Sequence, residues 1–217
     1  MAARREPGRK NRKEQIKKAK PSGHFIVTEG IKTETNYFNG FKDEINEKYQ
    51  GAIQSYTIDI HGAGKETLRI IEEIEDYKRR SPHVFEHVWA VFDKDDFPPD
   101  HFDNAIHSAH QKGIKVAWSN ECIELWFLLH FAYLDANINR QQYYSRLDSV
   151  FKNMGVQEGY NKASARLYEL LKPYQNKAIR YAQKLRETHS VTSSFSKKAP
   201  CTNVDELIGE LTNLLND

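Results

Sequence analysis

His87-Val88-Trp89-Ala90-Val91-Phe92-Asp93-Lys94-Asp95-Asp96 decides how the rest of this chain is read. An apolar, β-prone run ends in three acids, and Phe97-Pro98-Pro99 follows, through which neither a strand nor a helix continues. The pattern predicts a buried strand that delivers carboxylates to its own C-terminal end. While the chain stays extended, Asp93 and Asp95 point the same way, so two oxygen ligands meet in one small volume. Carboxylates that close repel unless a cation sits between them. Mg2+ is the natural occupant, because it takes hard oxygen ligands from one or two carboxylates plus water or phosphate; Mn2+ would accept the same donors. The competing reading is that Asp-x-Asp only opens a turn.

Working back from that stretch, His24-Phe25-Ile26-Val27-Thr28 is a short apolar run closed by Glu29-Gly30, and Gly30 lets the backbone turn out of a strand. Thr33 to Tyr49 reads as a helix with Tyr37, Phe38, Phe41 and Ile45 at helical spacing. Ser55 to Ile60 alternates as a second strand, Gly62-Ala63-Gly64 turns, and Thr67 to Arg80 is an amphipathic helix with Leu68, Ile71, Ile74 and Tyr77 inward. Working forward, Asp100 to Gly113 makes a third helix and Ile114 to Trp118 a fourth strand. Alternation of this kind predicts an α/β fold: a parallel, Rossmann-like sheet with right-handed crossovers and helices on both faces. Sites in such sheets form beyond the C-terminal strand ends, where the winding reverses. With the first and third strands side by side there, Glu29 meets Asp93 and Asp95 in one crevice. A lone acid at a strand tip is more often a cap; three acids on two neighbouring tips suggest a site.

From Ser119 the pattern turns helical. Ile123 to Phe131 is apolar nearly all round, which predicts a buried helix and leaves Glu124 an acid with little water. Such a group binds a base, accepts backbone donors or supplies a fourth metal-site carboxylate. His130, on the same apolar face, reads as a core histidine. Gln141 to Asn153 is a helix with Tyr144, Leu147 and Phe151 as its stripe, Met154 to Tyr160 a loop, and Ala163 to Glu187 a helical stretch broken at Pro173. Its Lys177, Arg180, Lys184 and Arg186 face phosphate or only water. Ser190 to Pro200 is loop-like, and Asn203-Val204-Asp205-Glu206 starts a closing amphipathic helix with Leu207, Ile208, Leu211, Leu214 and Leu215. The expected organisation is a basic arm over 1–21, an α/β core over 22–120, and a C-terminal helical extension over 121–217 packed on that core.

With 217 residues, 39% hydrophobic, the chain can bury a sizeable core. A mean hydropathy of -0.75 and the absence of any apolar run of spanning length or of a hydrophobic leader point to a soluble protein with no membrane role. Cys122 and Cys201 offer neither a disulfide framework nor zinc spacing, so a reducing cytoplasm is the expected setting. The net charge of +2 hides an uneven distribution: Arg4, Arg5, Arg9, Lys10, Arg12, Lys13, Lys17, Lys18 and Lys20 face only Glu6 and Glu14 in the first twenty residues. This arm either follows a nucleic-acid backbone by releasing counterions or is a solubilising tail. Two patterns are decoys. Gly62-Ala63-Gly64-Lys65-Glu66 lacks a Walker A loop's first Gly and its Ser or Thr, with Asp59 and Glu66 in those places. His83 and His87 flank a strand start, where a spacing of four does not align two imidazoles.

A Glu-Gly at the first strand tip followed by Asp-x-Asp at a later parallel tip resembles the Toprim domain of topoisomerases, primases and overcoming-lysogenization-defect nucleases. More closely, the chain resembles the RloB family with its AbiLii-like abortive-infection proteins. The residues that carry the likeness are Glu29 to Phe38, Phe92-Asp93-Lys94-Asp95-Asp96-Phe97, Ser119 to Trp126 with His130-Phe131, and Pro200 to Val204. It spans about residues 22 to 215, with departures from the family pattern at Glu121, Ile123 and Ala199. The resemblance implies a bacterial anti-phage effector paired with an ABC/SMC-like ATPase, acting on DNA, transfer RNA or another RNA. On that footing Asp93 and Asp95 would hold Mg2+, Glu29 would serve as general acid or base or bind a second ion, and Glu124 would be a further ligand. Lys32 and Lys94 would neutralise phosphate. The alternative is a non-catalytic module that grips nucleic acid or the ATPase; self-association is open in either case.

Overall fold

The computed structural model describes residues 23–49, 57–64 and 67–216. The arm with Arg9, Lys10, Arg12 and Lys13 lies outside the described residues, as do positions 55 and 56 of the expected second strand. Five strands form one sheet in the order β2-β1-β3-β4-β5: β1 (Gly23–Thr28), β2 (Thr57–Gly62), β3 (His87–Asp93), β4 (Lys115–Asn120) and β5 (Cys201–Thr202). The first four are parallel, and β5 runs antiparallel to β4. Eight helices accompany them among the described residues: α1 (Thr33–Tyr49), α2 (Thr67–Arg80), α3 (Pro99–Gln111), α4 (Glu124–Leu129), α5 (Arg140–Asn153), α6 (Leu167–Leu171), α7 (Gln175–Glu187) and α8 (Val204–Asn216). The fold class is therefore the expected one.

Strand alternation builds the two sides of the core. Ile26, Trp89, Val91 and Ala117 pack with apolar residues of α1 and α4–α8, whereas Phe25, Val27, Val88, Ala90, Phe92, Val116 and Trp118 pack with α2 and α3. Each Val, Ile or Phe side chain so removed from water stabilises the fold by about 1.5–3 kcal/mol, and each Ala by less. After β1 the chain crosses to β2 over one face, and after β3 it crosses to β4 over the other, as right-handed crossovers require. The winding thus reverses between β1 and β3, which pair directly through His24↔His87 to Thr28↔Val91. Their C-terminal ends open one crevice.

Several local expectations change. Pro173 does break the helical stretch, leaving α6, a 3-10 turn over Lys172–Tyr174, and α7. On α5 the buried residue is Tyr143, not Tyr144, which is half-buried on the crevice side. Asn203 does more than start α8. Its side-chain amide donates to Val116 O (2.9 Å) and accepts from Trp118 N–H (2.7 Å), so it covers the edge of β4 where β5 is too short to reach.

A carboxylate crevice at the strand tips

Glu29 follows β1, and its N–H extends the ladder to Val91 O (2.9 Å). Its carboxylate accepts the Asp93 N–H (3.2 Å), which ties the two tips together. Gly30 has no left-handed backbone; a Cβ there would meet only the Glu34 carboxylate, the end of a flexible side chain that would have to shift. The Gly62-Ala63-Gly64 turn supports the tip from behind, with Ala63 N–H on Thr28 O (2.8 Å) and Gly64 N–H on Glu29 O (2.9 Å).

Asp93 ends β3 and accepts the Ile123 N–H (3.0 Å). Asp95 does not continue the strand as expected. It sits at φ 47°, a left-handed conformation that Asp tolerates better than most residues, in a turn held by Lys94 N–H on Ser119 O (2.8 Å) and Asp95 N–H on Glu121 O (3.0 Å). Its carboxylate pairs with the Arg140 guanidinium. Arg140 is the first residue of α5, and a capping box fixes that helix start: Asn139 accepts the Gln142 N–H and Gln142 accepts the Asn139 N–H, both at 3.0 Å.

Glu124 opens α4 and is only 2% exposed. It accepts the Tyr160 hydroxyl (2.8 Å) and lies 3.6 Å from Lys162 Nζ, which also binds the Tyr144 hydroxyl. Of the three roles open to it in sequence, side-chain donors are the partners found. These groups, with Glu34 at the start of α1, line a cavity of about 210 Å3. Five carboxylates, Glu29, Glu34, Asp93, Asp95 and Glu124, converge on it against two cations, Arg140 and Lys162.

Burial, and after it the charges of neighbouring carboxylates, raises three of these acids. Burial, then the Glu34 and Glu124 charges, push the Asp93 carboxyl well above the usual range. Burial raises Glu29 to about 7, opposed by its hydrogen bond from Asp93 and reinforced by the Glu34 charge. Glu34 is raised by burial and by Glu124. Hard oxygen donors are the type that a divalent cation such as Mg2+ takes, although among the described residues no three of these carboxylates bring ligand oxygens within 4.8 Å of one another. Burial and the adjacent Glu124 and Asp93 charges push the Cys122 thiol up, which disfavours its thiolate.

The structure brings Glu29, Asp93, Asp95 and Glu124 together and places Lys32 and Lys94 elsewhere. Lys32 is exposed on the turn before α1, and Lys94 folds its ammonium onto Asp95 O (3.1 Å). Glu34, Arg140, Tyr144, Tyr160 and Lys162 are additional. Glu34 carried the weak signal of a second acid five residues after the first tip; the others carried none. His130 is a core residue, fully buried against Trp126, its Nδ1 paired with Trp126 O (3.0 Å) and its ring held neutral by burial with a pKa of about 4.

No helix among the described residues is long and apolar enough to cross a membrane. The family model described as RloB-like protein matches residues 24–211. Searches of the curated proteins and of the solved structures found no match.

Proposed function

The chain belongs to the RloB-like family, and we propose that it is a divalent-metal-dependent phosphodiesterase, the nuclease effector of an abortive-infection defence system. The observation that carries this reading is the convergence of five carboxylates on one cavity at the β1–β3 switch point, with Asp93 and Glu29 both raised by burial and by one another's neighbours.

Asp93, Asp95 and Glu124, with Glu29 or Glu34, would hold the ion. Bound there, Mg2+ or Mn2+ would polarise the phosphoryl oxygen and steady the leaving oxygen. The chain's own groups divide the remaining work. Where Glu34 rather than Glu29 completes the ligand set, Glu29 would take or return the proton of the attacking water. Arg140, now paired with Asp95, and Lys162 are the cations that would neutralise a phosphate entering the crevice. Tyr160 and Lys162 keep Glu124 oriented. Nucleic acid is the substrate class, and an ABC/SMC-like ATPase would govern when the crevice acts.

The test is cleavage of transfer RNA and of supercoiled plasmid in Mg2+, Mn2+ or EDTA, with and without the neighbouring ATPase, by the wild type and by Asp93→Asn/Asp95→Asn. Metal-dependent cleavage that the double variant lacks supports the proposal. Cleavage that persists in the variant sinks it.

A further inference from the structure

At the opposite end of the sheet a second cluster has no part in this chemistry. The ladder sets His24 of β1 directly beside His87 of β3, and Glu210 of α8 reaches both. Glu210 Oε2 is 3.1 Å from His24 Nε2 and 3.1 Å from His87 Nδ1. Among the described residues, this is the one set of three His, Cys, Asp or Glu ligand atoms that all lie within 4.8 Å of one another. His24 is 2% exposed. The cluster sits about 17 Å from the Glu29 tip, at about 3.3 Å per residue along β1.

We propose that His24, His87 and Glu210 form a transition-metal site, suited to Zn2+, that clasps β1, β3 and α8 together. Two imidazole nitrogens and one carboxylate oxygen are the donors of a three-ligand zinc site that keeps its fourth position for water. Ligand atoms at tetrahedral angles and bonds of 2.0–2.2 Å stand about 3.3 Å apart, close to the 3.1 Å from Glu210 Oε2 to each histidine nitrogen, and the two nitrogens lie within 4.8 Å of one another. Imidazole disfavours Mg2+, so the two ends of the sheet select different ions.

The groups around the carboxylate suit the role. Trp89 Nε1–H donates to Oε2 (3.0 Å) and Lys115 binds Oε1, which fixes Glu210 as a one-oxygen ligand. His87 Nδ1 is buried but not aligned for a hydrogen bond with the oxygen beside it. The misalignment follows from the rings, which stack at 4.3 Å with 6° between their planes. Rotation of His87 about its Cβ–Cγ bond turns Nδ1 toward the ion, and a side chain that is one-third exposed has room to make it.

The experiment titrates the metal-stripped full chain with Zn2+ by calorimetry in saturating Mg2+, and repeats it with Co2+, whose visible absorption reports tetrahedral nitrogen and oxygen ligation. One equivalent should bind the wild type and, equally, Asp93→Asn/Asp95→Asn. His87→Ala should weaken it by at least about 100-fold, the upper end of what loss of a supporting partner alone costs. Glu210→Gln provides the same readout should His87→Ala fail to fold by circular dichroism. The site is refuted if the folded His87 or Glu210 variant binds zinc like the wild type, if the crevice variant loses the equivalent, or if the wild type takes up none. Because the crevice and this cluster share no residue, the nuclease reading and the zinc site stand or fall separately.

Discussion

Replacing Glu29 by Gln should stabilise the metal-free protein at alkaline pH, and the size of the effect follows from the crevice. Burial raises the Glu29 carboxyl from 4.5 to about 7. At about 1.36 kcal/mol per pH unit, keeping it ionised costs the fold about 3 kcal/mol once the pH exceeds 7. The sign follows from proton binding. Below pH 4.5 the group is protonated in both states and contributes nothing. Between 4.5 and 7 the folded state binds the proton more tightly, so stability falls as pH rises, and above 7 the full cost is present. The amide keeps the shape and still offers an oxygen to the Asp93 N–H, so Glu29→Gln should match the wild type near pH 4.5 and exceed it by about 3 kcal/mol at pH 8. For a chain of this size that is about 6–12 °C in Tm. Urea unfolding at both pH values in EDTA measures it. Added Mg2+ should then stabilise the wild type more than the variant. A Glu29→Gln protein that is less stable than the wild type at pH 8 would refute the reasoning, because the ionised carboxylate would then be a structural cap on β3.

Other consequences lie nearby and farther off. Asp205, 4% exposed, is held by the fork of Arg186, with Nη2 to Oδ2 at 2.7 Å. Arg186→Ala strands that charge and should cost about 3–5 kcal/mol in a urea melt. Tyr160→Phe removes the donor on Glu124 while leaving packing intact; single-turnover cleavage should slow by about tenfold, the kinetic worth of about 1.4 kcal/mol, with Tm little changed. Deleting residues 1–20 should reduce the salt dependence of nucleic-acid binding, read as a shallower slope of log affinity against log salt; an unchanged slope assigns the arm to solubility.

The scaffold was legible where local pattern and tertiary role coincide. The bounds of α2 were readable to the residue and those of α1 closely, because apolar spacing and flanking breakers agree there. The adjacency of Glu29 and Asp93 followed from topology alone. What escaped is non-local or a matter of one residue. The two residues of β5 carry no period and become a strand only because β4 offers them an edge. Tyr143 and Tyr144 differ by about 100° around a helix, and the apolar stripe did not choose between them. Asp95 was expected to align with Asp93 by strand alternation, yet it reaches the crevice through a left-handed turn. Arg140 meets Asp95 from 45 positions away, and Lys162 meets Glu124 from 38; no local signal marks such pairs. The His24–His87–Glu210 cluster is hidden for the same reason, since its three residues come from β1, β3 and α8.

The most direct test of the crevice as a divalent-cation site needs neither substrate nor ATPase. The protein is loaded with Fe2+ in place of Mg2+, exposed to ascorbate and peroxide, and its backbone cuts are mapped by mass spectrometry. Cuts should cluster around residues 29–34, 93–95 and 121–124, fade as Mg2+ is added, and vanish in Asp93→Asn/Asp95→Asn. Cuts near His24, His87 and Glu210 would report the separate cluster, which also offers ligands to Fe2+. An absence of cuts at the three tips, or cuts at them that persist in excess Mg2+ and in the double variant, would contradict the account.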